Sequence, residues 1–304
     1  MLLLPSFPSP ESMLHPTPRL ILESLLPHLR VAAAYAQHIQ PHISARPDKE
    51  ADNFFGAALS DADLSVQTFV EVALLGLFPN IRFYGEEYAR SYNTKYFRAI
   101  DLGEQDDYLV TLDPIDGTQF YLDGHSNYQI ILSVLNRNDF EAVLAITPAQ
   151  QTYYYALRGQ GCWQGRLEDS LEDCQPLRIQ PSSSTIFLGW QMQALIPQLI
   201  DRYKVINVAT SYSKTEQIPN VNGILTGELD GVVIRKGQFI DGSALAFLAR
   251  EAGGIATIHD GSPLPPLHEC ENYHCPGLII AASPTVHQDL LEAIRAEQEQ
   301  VMIN

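Results

Sequence analysis

The sequence contains the run Asp113-Pro114-Ile115-Asp116-Gly117-Thr118, which places two carboxylates three residues apart. The apolar alternation of residues 108–112 leads straight into it, which predicts a strand that ends in these acidic residues. The bend that Pro114 fixes can also turn the carbonyl of Ile115 inward. Carboxylate and carbonyl oxygens are the ligands that hard cations such as Mg²⁺ prefer, and a carboxylate that bridges two ions holds a two-metal site together.

Gly117 and Thr118 extend the prediction from a cation to an anion. If a helix begins at this point, its free N–H groups and its dipole would receive phosphate oxygens, and glycine allows the backbone to approach them closely. The simpler alternative is that Asp116-Gly117 forms an ordinary turn.

Acidic residues stand at three further points where regular structure is expected to begin or end. Asp63 comes at the start of a helix, Glu86 and Glu87 at the end of a strand, and Asp241 before another helix. Each has an ordinary explanation, because aspartate commonly caps helices and surface glutamates are solvated. Their combination with the Asp113 run is what favours a shared metal site.

Helical periodicity is clearest after Asp63 and stops before Pro79. The predicted apolar stripe of this helix consists of Val66, Phe69, Val70, Ala73, Leu74 and Leu77. Residues 20–43 predict one or two helices with an interruption at Pro27, and Ser283-Pro284 predicts a last helix to about residue 301. Residues 128–135 and 140–147 flank a turn at 136–139 and predict a hairpin in an antiparallel sheet.

After residues 181–184 the pattern changes to strands that alternate with helices, which predicts a second, α/β domain. We therefore expect a Pro-rich tail at 1–18 and an N-terminal α+β domain at 19–180 with most of the metal ligands. A C-terminal α/β domain at 181–304 would contribute Asp241.

The charge of the chain bears on its partners. Its 36 acidic and 19 basic side chains give a net charge of −17, which repels nucleic acid and anionic lipid, so we expect neither as a partner. A phosphorylated metabolite would also be repelled unless divalent cations invert the local field. The sequence has no signal-peptide pattern, no apolar stretch of membrane-spanning length and four cysteines without a disulfide framework, which predicts a cytoplasmic protein.

Four separated segments, taken together, resemble the lithium-sensitive, Mg²⁺-dependent inositol monophosphatase superfamily. In the order of that family they are Ser60-Asp61-Ala62-Asp63, Gly85-Glu86-Glu87, the run from Asp113 to Thr118, and Ile240-Asp241-Gly242-Ser243-Ala244 followed by Glu251-Ala252-Gly253-Gly254. The resemblance covers roughly residues 20–300 and implies a layered αβαβα sandwich with the site between two domains. It also implies a small-molecule phosphate monoester as substrate and raises the expectation of a homodimer.

Roles for individual residues follow from the same resemblance. Glu86, Asp113 and the carbonyl of Ile115 would bind one Mg²⁺, and Asp113, Asp116 and Asp241 a second, with a third ion near Glu86. Asp63 and Thr118 would orient and deprotonate the attacking water, Gly117 and Thr118 would hold phosphate, and Glu87 would lie behind the ligands. The resemblance further implies direct hydrolysis without a phosphoenzyme, and inhibition by Li⁺.

The substrate is less defined than the chemistry, because the sequence departs from the family pattern beside Asp241. Ile240 stands where the family has tryptophan, Gly242-Ser243 replaces an Ala-rich pair, and no family-type lysine or substrate-binding acid is evident. Lys49, Ser211 and Lys236 are the nearest candidates for pocket lining. An inositol or sugar or polyol phosphate is expected; fructose 1,6-bisphosphate, a nucleoside 3′,5′-bisphosphate and a catalytically silent metal-binding regulatory role are the alternatives.

A second cluster of candidate ligands lies late in the chain and consists of His268, Cys270, His274 and Cys275. These residue types bind zinc, but the spacing lacks a Cys-x-x-Cys knuckle. A surface loop with ordinary thiols is therefore the favoured interpretation.

Overall fold

The computed structural model describes residues 16–45, 58–87, 102–103, 107–271 and 274–303. Lys49 and residues 1–15 of the predicted tail lie outside the described residues. Pro18, the last residue of that tail, is already the first residue of a helix that Thr17 caps through its side chain.

The first sheet has seven strands within the described residues, and they lie side by side in chain order. They are β1 (Arg82–Gly85), β2 (Leu109–Asp116), β3 (Gln129–Leu135), β4 (Phe140–Thr147), β5 (Thr152–Leu157), β6 (Cys162–Arg166) and β7 (Gln175–Leu177). β1 is parallel to β2, and every later neighbour is antiparallel. The predicted hairpin is therefore confirmed as β3 and β4.

The second sheet follows in the chain. In order along the sequence its strands are β8 (Thr185–Leu188), β9 (Lys204–Asn207), β10 (Gly231–Ile234), β12 (Ile255–Thr257) and β14 (Leu278–Ala281), and a separate pair is formed by β11 (Gly237–Gln238) and β13 (His274–Cys275). β8 runs parallel to both β9 and β10, so their carboxyl ends meet at one edge of the sheet.

The α-helices of the described chain are α1 (Pro18–Ile39), α2 (Asp61–Leu77), α3 (Thr118–Leu122), α4 (Ile196–Leu199), α5 (Val208–Ser211), α6 (Gly223–Thr226), α7 (Gly242–Glu251) and α8 (Pro284–Ile303). The predicted last helix is α8, and Ser283 caps it by accepting a hydrogen bond from the N–H of Val286 at 3.3 Å. Among the described residues, no helix has both the length and the apolar character needed to cross a membrane.

Alternation along the strands arranges these elements in layers, because successive side chains point to opposite faces. One face of the first sheet, with Leu112 and Leu132, packs on α1 and α2. Its other face, with Ile131 and Val143, packs on α7 and on one face of the second sheet. The remaining face of the second sheet packs on α8. The order helix, sheet, helix, sheet, helix confirms the predicted αβαβα sandwich.

Two details of the predicted helices were wrong. Pro27 lies inside α1 without ending it; buried leucines on both sides, Leu25 and Leu29 among them, hold the helix to the sheet. The hydrogen bond that proline cannot donate would reach the carbonyl of Glu23, which lies on an exposed turn. Phe69 is 40 % exposed, because the buried face of α2 is centred on Val66, Val70 and Leu74 instead.

The boundary predicted near residue 180 falls between the two sheets, since β7 ends at Leu177 and β8 begins at Thr185. α7 packs against both sheets, so the two halves share one apolar layer. The division into domains at 180 stays a prediction.

Candidate active site

A cavity of about 870 Å³ lies where strand ends of the two sheets meet. Most of the residues predicted for the site line it, namely Glu86, Asp113, Ile115, Asp116, Gly117, Thr118 and Asp241. Asp63 is not among the lining residues; it is buried next to Thr118, which separates it from the cavity.

Strand β2 brings Asp113 and Asp116 to this cavity by means of a bulge. Asp113 is opposite Ile131 and Asp116 is opposite Gln129, so three steps on β2 match two steps on β3. In a strand of the same length without a bulge, side chains three residues apart would point to opposite faces. Pro114 fits the bulge because it has no N–H to donate to the neighbouring strand. The bulge therefore explains how two carboxylates at this spacing reach one cavity.

Asp113 is the most buried carboxylate of the cavity, with 3 % of its surface exposed. One of its oxygens accepts a hydrogen bond from the N–H of Ile115 at 3.1 Å. Burial raises its pKa well above the ordinary value, and the nearby carboxylates of Glu86, Asp116 and Asp241 add to that rise. Asp113 therefore lies at the centre of a group of mutually repelling carboxylates.

Asp116 is half-buried at the cavity wall, and the side-chain amide of Gln129 donates a hydrogen bond of 2.6 Å to it. Burial raises the pKa of Asp116 to about 6, while the amide opposes this rise and Glu86 adds to it. Gln129 thus leaves one oxygen of Asp116 fixed and the other available to the cavity.

Asp241 is the N-cap residue of α7, and its side chain accepts a hydrogen bond from the N–H of Gly242. Its ordinary explanation as a helix cap is therefore correct, and the same side chain also lines the cavity. Burial, followed by the charge of Asp116, raises the pKa of Asp241 to about 8.

Asp63 likewise takes part both in capping a helix, here α2, and in contacts of the site. Ser60 is the N-cap, and Asp63 completes a capping box by accepting hydrogen bonds from the N–H of Ser60 at 2.8 Å and from its hydroxyl at 2.5 Å. The other oxygen of Asp63 accepts from the hydroxyl of Thr118 at 3.1 Å. Burial raises the pKa of Asp63 to about 6, although the bonds from Ser60 lower it.

The hydroxyl of Thr118 also lies 2.9 Å from the carbonyl of Ile115. A hydroxyl has one proton, so Thr118 can donate to Asp63 or to Ile115 at any instant, but not fully to both. The side chain thus connects a buried carboxylate with the cavity through a proton that has two acceptors.

The helix predicted after Asp116 is confirmed as α3, a five-residue helix with Gly117 at its N-cap. Gly117 has φ +84°, a left-handed conformation that side chains with a Cβ rarely adopt. Asn220 packs against this glycine from the second half of the chain. The first N–H groups of α3 have no acceptor within the helix, as at every helix start.

Glu86 follows β1, and its N–H donates to the carbonyl of Leu112 at 3.2 Å, which continues the pairing with β2. The N–H of Glu87 donates to the side chain of Gln67 at 2.9 Å. A Cβ atom at Gly85 would overlap that same amide, so a larger residue at this position would have to displace the side chain of Gln67. α2 therefore supports the end of β1 through Gln67, one turn after Asp63.

Ser60, Gln67 and Gln129 are polar neighbours of the site to which the sequence assigned no role. Ser60 could have been found, because a serine three residues before an acidic residue is the pattern of a capping box. The two glutamines gave no such signal, since only the packing of α2 on β1 and of β3 on β2 brings them to the carboxylates.

The residues considered for the substrate pocket have different positions. Lys236 lines the cavity, as does Ile240 in the place of the family tryptophan. Ser211 is not among the lining residues; its hydroxyl accepts from the N–H of Asn207 at 3.2 Å.

Within the described part of the chain, no three His, Cys, Asp or Glu side chains are arranged as a ready metal site. In the cavity, protein donors hold oxygens of Asp113, Asp116 and Asp241. In the late cluster, the ring of His268 lies 2.9 Å from the carbonyl of Arg137 and Cys275 accepts from Ser243 at 3.3 Å. The four cysteines form no disulfide, and the interpretation of this cluster as a surface loop with ordinary thiols stays a prediction.

Comparison with known proteins adds an independent finding. The model of the Inositol monophosphatase family matches residues 23–302. The protein named Putative Nus factor SuhB of Neisseria meningitidis is 26 % identical over 263 residues, 83 % of this chain and 89 % of that protein. The Inositol-1-monophosphatase of Bacillus subtilis is 23 % identical over 188 residues, 60 % of this chain and 65 % of that protein.

Among solved structures, the Thermotoga maritima IMPase shares the fold with a TM-score of 0.69 at 16 % identity, and the alignment covers 92 % of this chain and 99 % of that one. The exclusion of nucleic acid as a partner, the cytoplasmic location and the homodimer stay predictions. The family match contains all four acidic segments and both sheets that bring them together. The chain therefore belongs to the inositol monophosphatase family.

Proposed function

We propose that the protein hydrolyses a phosphate monoester with two or three Mg²⁺ ions and an attacking water. The observation that carries this proposal is the meeting of Glu86, Asp113, Asp116 and Asp241 in one cavity beside the Thr118–Asp63 hydrogen bond. The family, whose members are usually phosphatases, supports the same reaction class.

The donor set fits Mg²⁺, since it consists of carboxylates and a backbone carbonyl. Asp113, Asp116 and Asp241 form no ion pair with a described lysine or arginine. Burial, followed by the neighbouring carboxylates, raises the pKa of Asp113 and of Asp241. Divalent cations would relieve this repulsion. Glu86, Asp113 and the carbonyl of Ile115 would hold one ion, and Asp113, Asp116 and Asp241 another.

Such ions supply a lowered pKa for water and stabilisation of the departing alkoxide. The chain's own residues handle the proton and the position. When the hydroxyl of Thr118 donates a hydrogen bond to Asp63, the lone pairs of the Thr118 oxygen are free to accept a hydrogen bond from the attacking water. A pKa of about 6 suits Asp63 to a base that works near neutral pH. The N–H groups at Gly117 and Thr118 would hold phosphate oxygens.

The proposed substrate is an inositol phosphate or another sugar or polyol phosphate. Fructose 1,6-bisphosphate and a nucleoside 3′,5′-bisphosphate are the alternatives within the same reaction. Ile240 supports no choice among them, because an apolar side chain does not donate to a hydroxyl group.

The test is phosphate release from a panel of these esters in Mg²⁺ and in EDTA. We expect release in Mg²⁺ only, inhibition by Li⁺, and a loss of about 1,000-fold or more in Asp113→Asn, because the variant removes a charge on which the ions depend. Asp201→Asn, an exposed carboxylate outside the cavity lining, is the matched control and should keep full activity.

A catalytically silent, metal-binding regulatory protein of the same fold is the second candidate. It is favoured by one observation, the name Putative Nus factor SuhB of the Neisseria meningitidis relative. Absence of metal-dependent phosphate release from every ester of the panel, in protein that still binds Mg²⁺, would replace the first proposal by this one.

A further inference from the structure

The part of the cavity formed by the second sheet has a different character from the carboxylates. Arg235 and Lys236 follow the end of β10, and Trp190 and Gln191 follow the end of β8; all four line the cavity, and we name them the cationic rim. We infer that the cationic rim binds a second anionic group of the substrate, a phosphate or a carboxylate, away from the phosphate that is hydrolysed. This inference rests on the proposed phosphatase function.

The topology accounts for the position of the rim. β8 and β10 are adjacent parallel strands, so both end at the same edge of the second sheet. Ligands of α/β proteins commonly bind beyond such carboxyl ends. The cavity, at about 870 Å³, falls in the range that holds a whole small ligand and leaves room for groups beyond one phosphate.

The positive charge of the cationic rim supports the binding of an anion there. Among the described residues that line the cavity, the lysine and arginine side chains are those of Lys236 and Arg235. No described carboxylate forms an ion pair with either of them. The chain as a whole has a net charge of −17, which disfavours the approach of a doubly anionic ligand. Two adjacent cations beside the site reverse this repulsion locally.

One contact holds the rim in shape. The guanidinium of Arg235 donates a hydrogen bond to the side-chain oxygen of Gln191, which joins the ends of β8 and β10. Guanidinium has five N–H donors in a planar fork, so donors remain for a bidentate bond to a phosphate or carboxylate. Both Arg235 and Lys236 are exposed, so an anion can reach them and added salt should weaken the attraction.

The experiment compares paired substrates that differ in the second anion. Adenosine 3′,5′-bisphosphate is compared with adenosine 3′-monophosphate for a second phosphate, and 3-phosphoglycerate with glycerol 3-phosphate for a carboxylate. We expect kcat/KM to be about tenfold or more higher for the doubly anionic member of at least one pair at low salt. The pair that shows the preference identifies the anion.

The double variant Arg235→Ala, Lys236→Ala should remove that preference by lowering the ratio of kcat/KM within the pair about tenfold or more. The matched control is Lys204→Ala, Arg295→Ala, which removes two exposed charges outside the cavity lining and should keep the ratio. An unchanged ratio in the rim variant, or no preference in the wild type, would overturn the inference while leaving the phosphatase function intact.

A binding measurement separates failure of the inference from failure of the proposed function. The chain has two tryptophans, and Trp163 stacks on Tyr155 in the first sheet, so Trp163→Phe leaves Trp190 as the fluorescent reporter in the cavity. In Trp163→Phe, Asp63→Asn protein, the doubly anionic ligand should bind about tenfold more tightly than its partner. Equal affinities for the doubly and singly anionic ligands would refute anion binding by the cationic rim, whether or not any ester is hydrolysed.

Discussion

The carboxylates of the cavity and the cationic rim line the same space, but the protein holds them in different ways. Asp63 and Asp113 are buried, and protein donors bind both of them. Arg235 and Lys236 are exposed, and one hydrogen bond to Gln191 ties Arg235 in place. The first group is built into the packing of the fold, whereas the second group lies on its surface.

This difference implies that mutations should affect the reaction and the choice of substrate to different degrees. A change in a buried, hydrogen-bonded carboxylate leaves donors without partners and disturbs the elements that carry it. A change in an exposed cation costs the fold little, because surface charges contribute little to stability. The chemistry should therefore be hard to alter and the specificity easy to alter, which each of the following experiments examines.

After Asp113→Asn, the largest effect is expected at Thr118. Thr118→Val keeps the shape of the side chain but removes the hydroxyl that links Asp63 to the cavity. We expect kcat to fall by about 100-fold or more with a small change in KM, since the proton loses its path while the substrate contacts remain. Steady-state kinetics on the best ester of the panel measures both constants.

Thr118→Ser keeps the hydroxyl and is the control, with an expected kcat within about tenfold of the wild type. If Thr118→Val kept the activity of Thr118→Ser, the hydroxyl would have no part in the reaction.

An intermediate effect is expected from pH in EDTA. The pKa values of about 6 for Asp116 and about 8 for Asp241 lie above the 3.8 of an unperturbed aspartate. Between pH 4 and 8 the folded state therefore holds protons that the unfolded state has released, so stability falls as pH rises through this range. We expect Tm to be about 5–10 °C lower at pH 8 than at pH 5 in EDTA.

Mg²⁺ should reduce this difference, because bound cations neutralise the deprotonated carboxylates. Asp241→Asn should reduce it in EDTA, while Asp201→Asn, which removes the same charge from an exposed position, should not. The same slope of Tm against pH with and without Mg²⁺ would contradict the electrostatic coupling in the cavity.

The smallest effect is expected at Gln191, which has φ +65° although it is not glycine. Gln191→Gly removes the steric strain of the positive φ but raises the conformational entropy of the unfolded chain. Because these two effects oppose each other, the free energy of unfolding should change by less than about 1 kcal/mol. Because Arg235 loses its partner, the preference for a doubly anionic substrate should fall about two- to threefold.

Ser184→Gly is the matched control, since Ser184 has φ +49° and does not line the cavity. It should change stability by a similar amount and leave the substrate preference unaffected. A larger loss of substrate preference in Ser184→Gly than in Gln191→Gly would show that Gln191 does not support the binding of the second anion.

The sequence was sufficient for the helices, strands and acidic segments because these depend on local patterns, whereas the layered fold was implied by the family resemblance. Strand alternation before Asp113, helical spacing after Asp63 and the proline after Ser283 each have a direct structural counterpart. Pro27 was misjudged, since tertiary packing of α1 outweighs the loss of one hydrogen bond. Phe69 was misjudged, since a short apolar stripe does not specify which edge faces the sheet.

The supporting contacts could not be predicted, because they join residues that are remote in sequence. Gln67 reaches Glu87 across 20 residues, and Gln129 reaches Asp116 across a strand pair whose register depends on the bulge. The rim is a further case, since Gln191 and Arg235 come into contact only after β8 and β10 pair. The roles of the metal ligands themselves remain proposals for the experiments above.

The bulge at Pro114 has a consequence for how such a protein can change over generations. If the strand lost the bulge at unchanged length, regular alternation would turn Asp116 toward the apolar layer that α1 and α2 cover, where a charged group cannot stay without a partner. Substitutions that keep the bulge can adjust this segment one side chain at a time, but one that straightens the strand would disable site and fold together. Lineages should therefore preserve the bulge even where its neighbours drift.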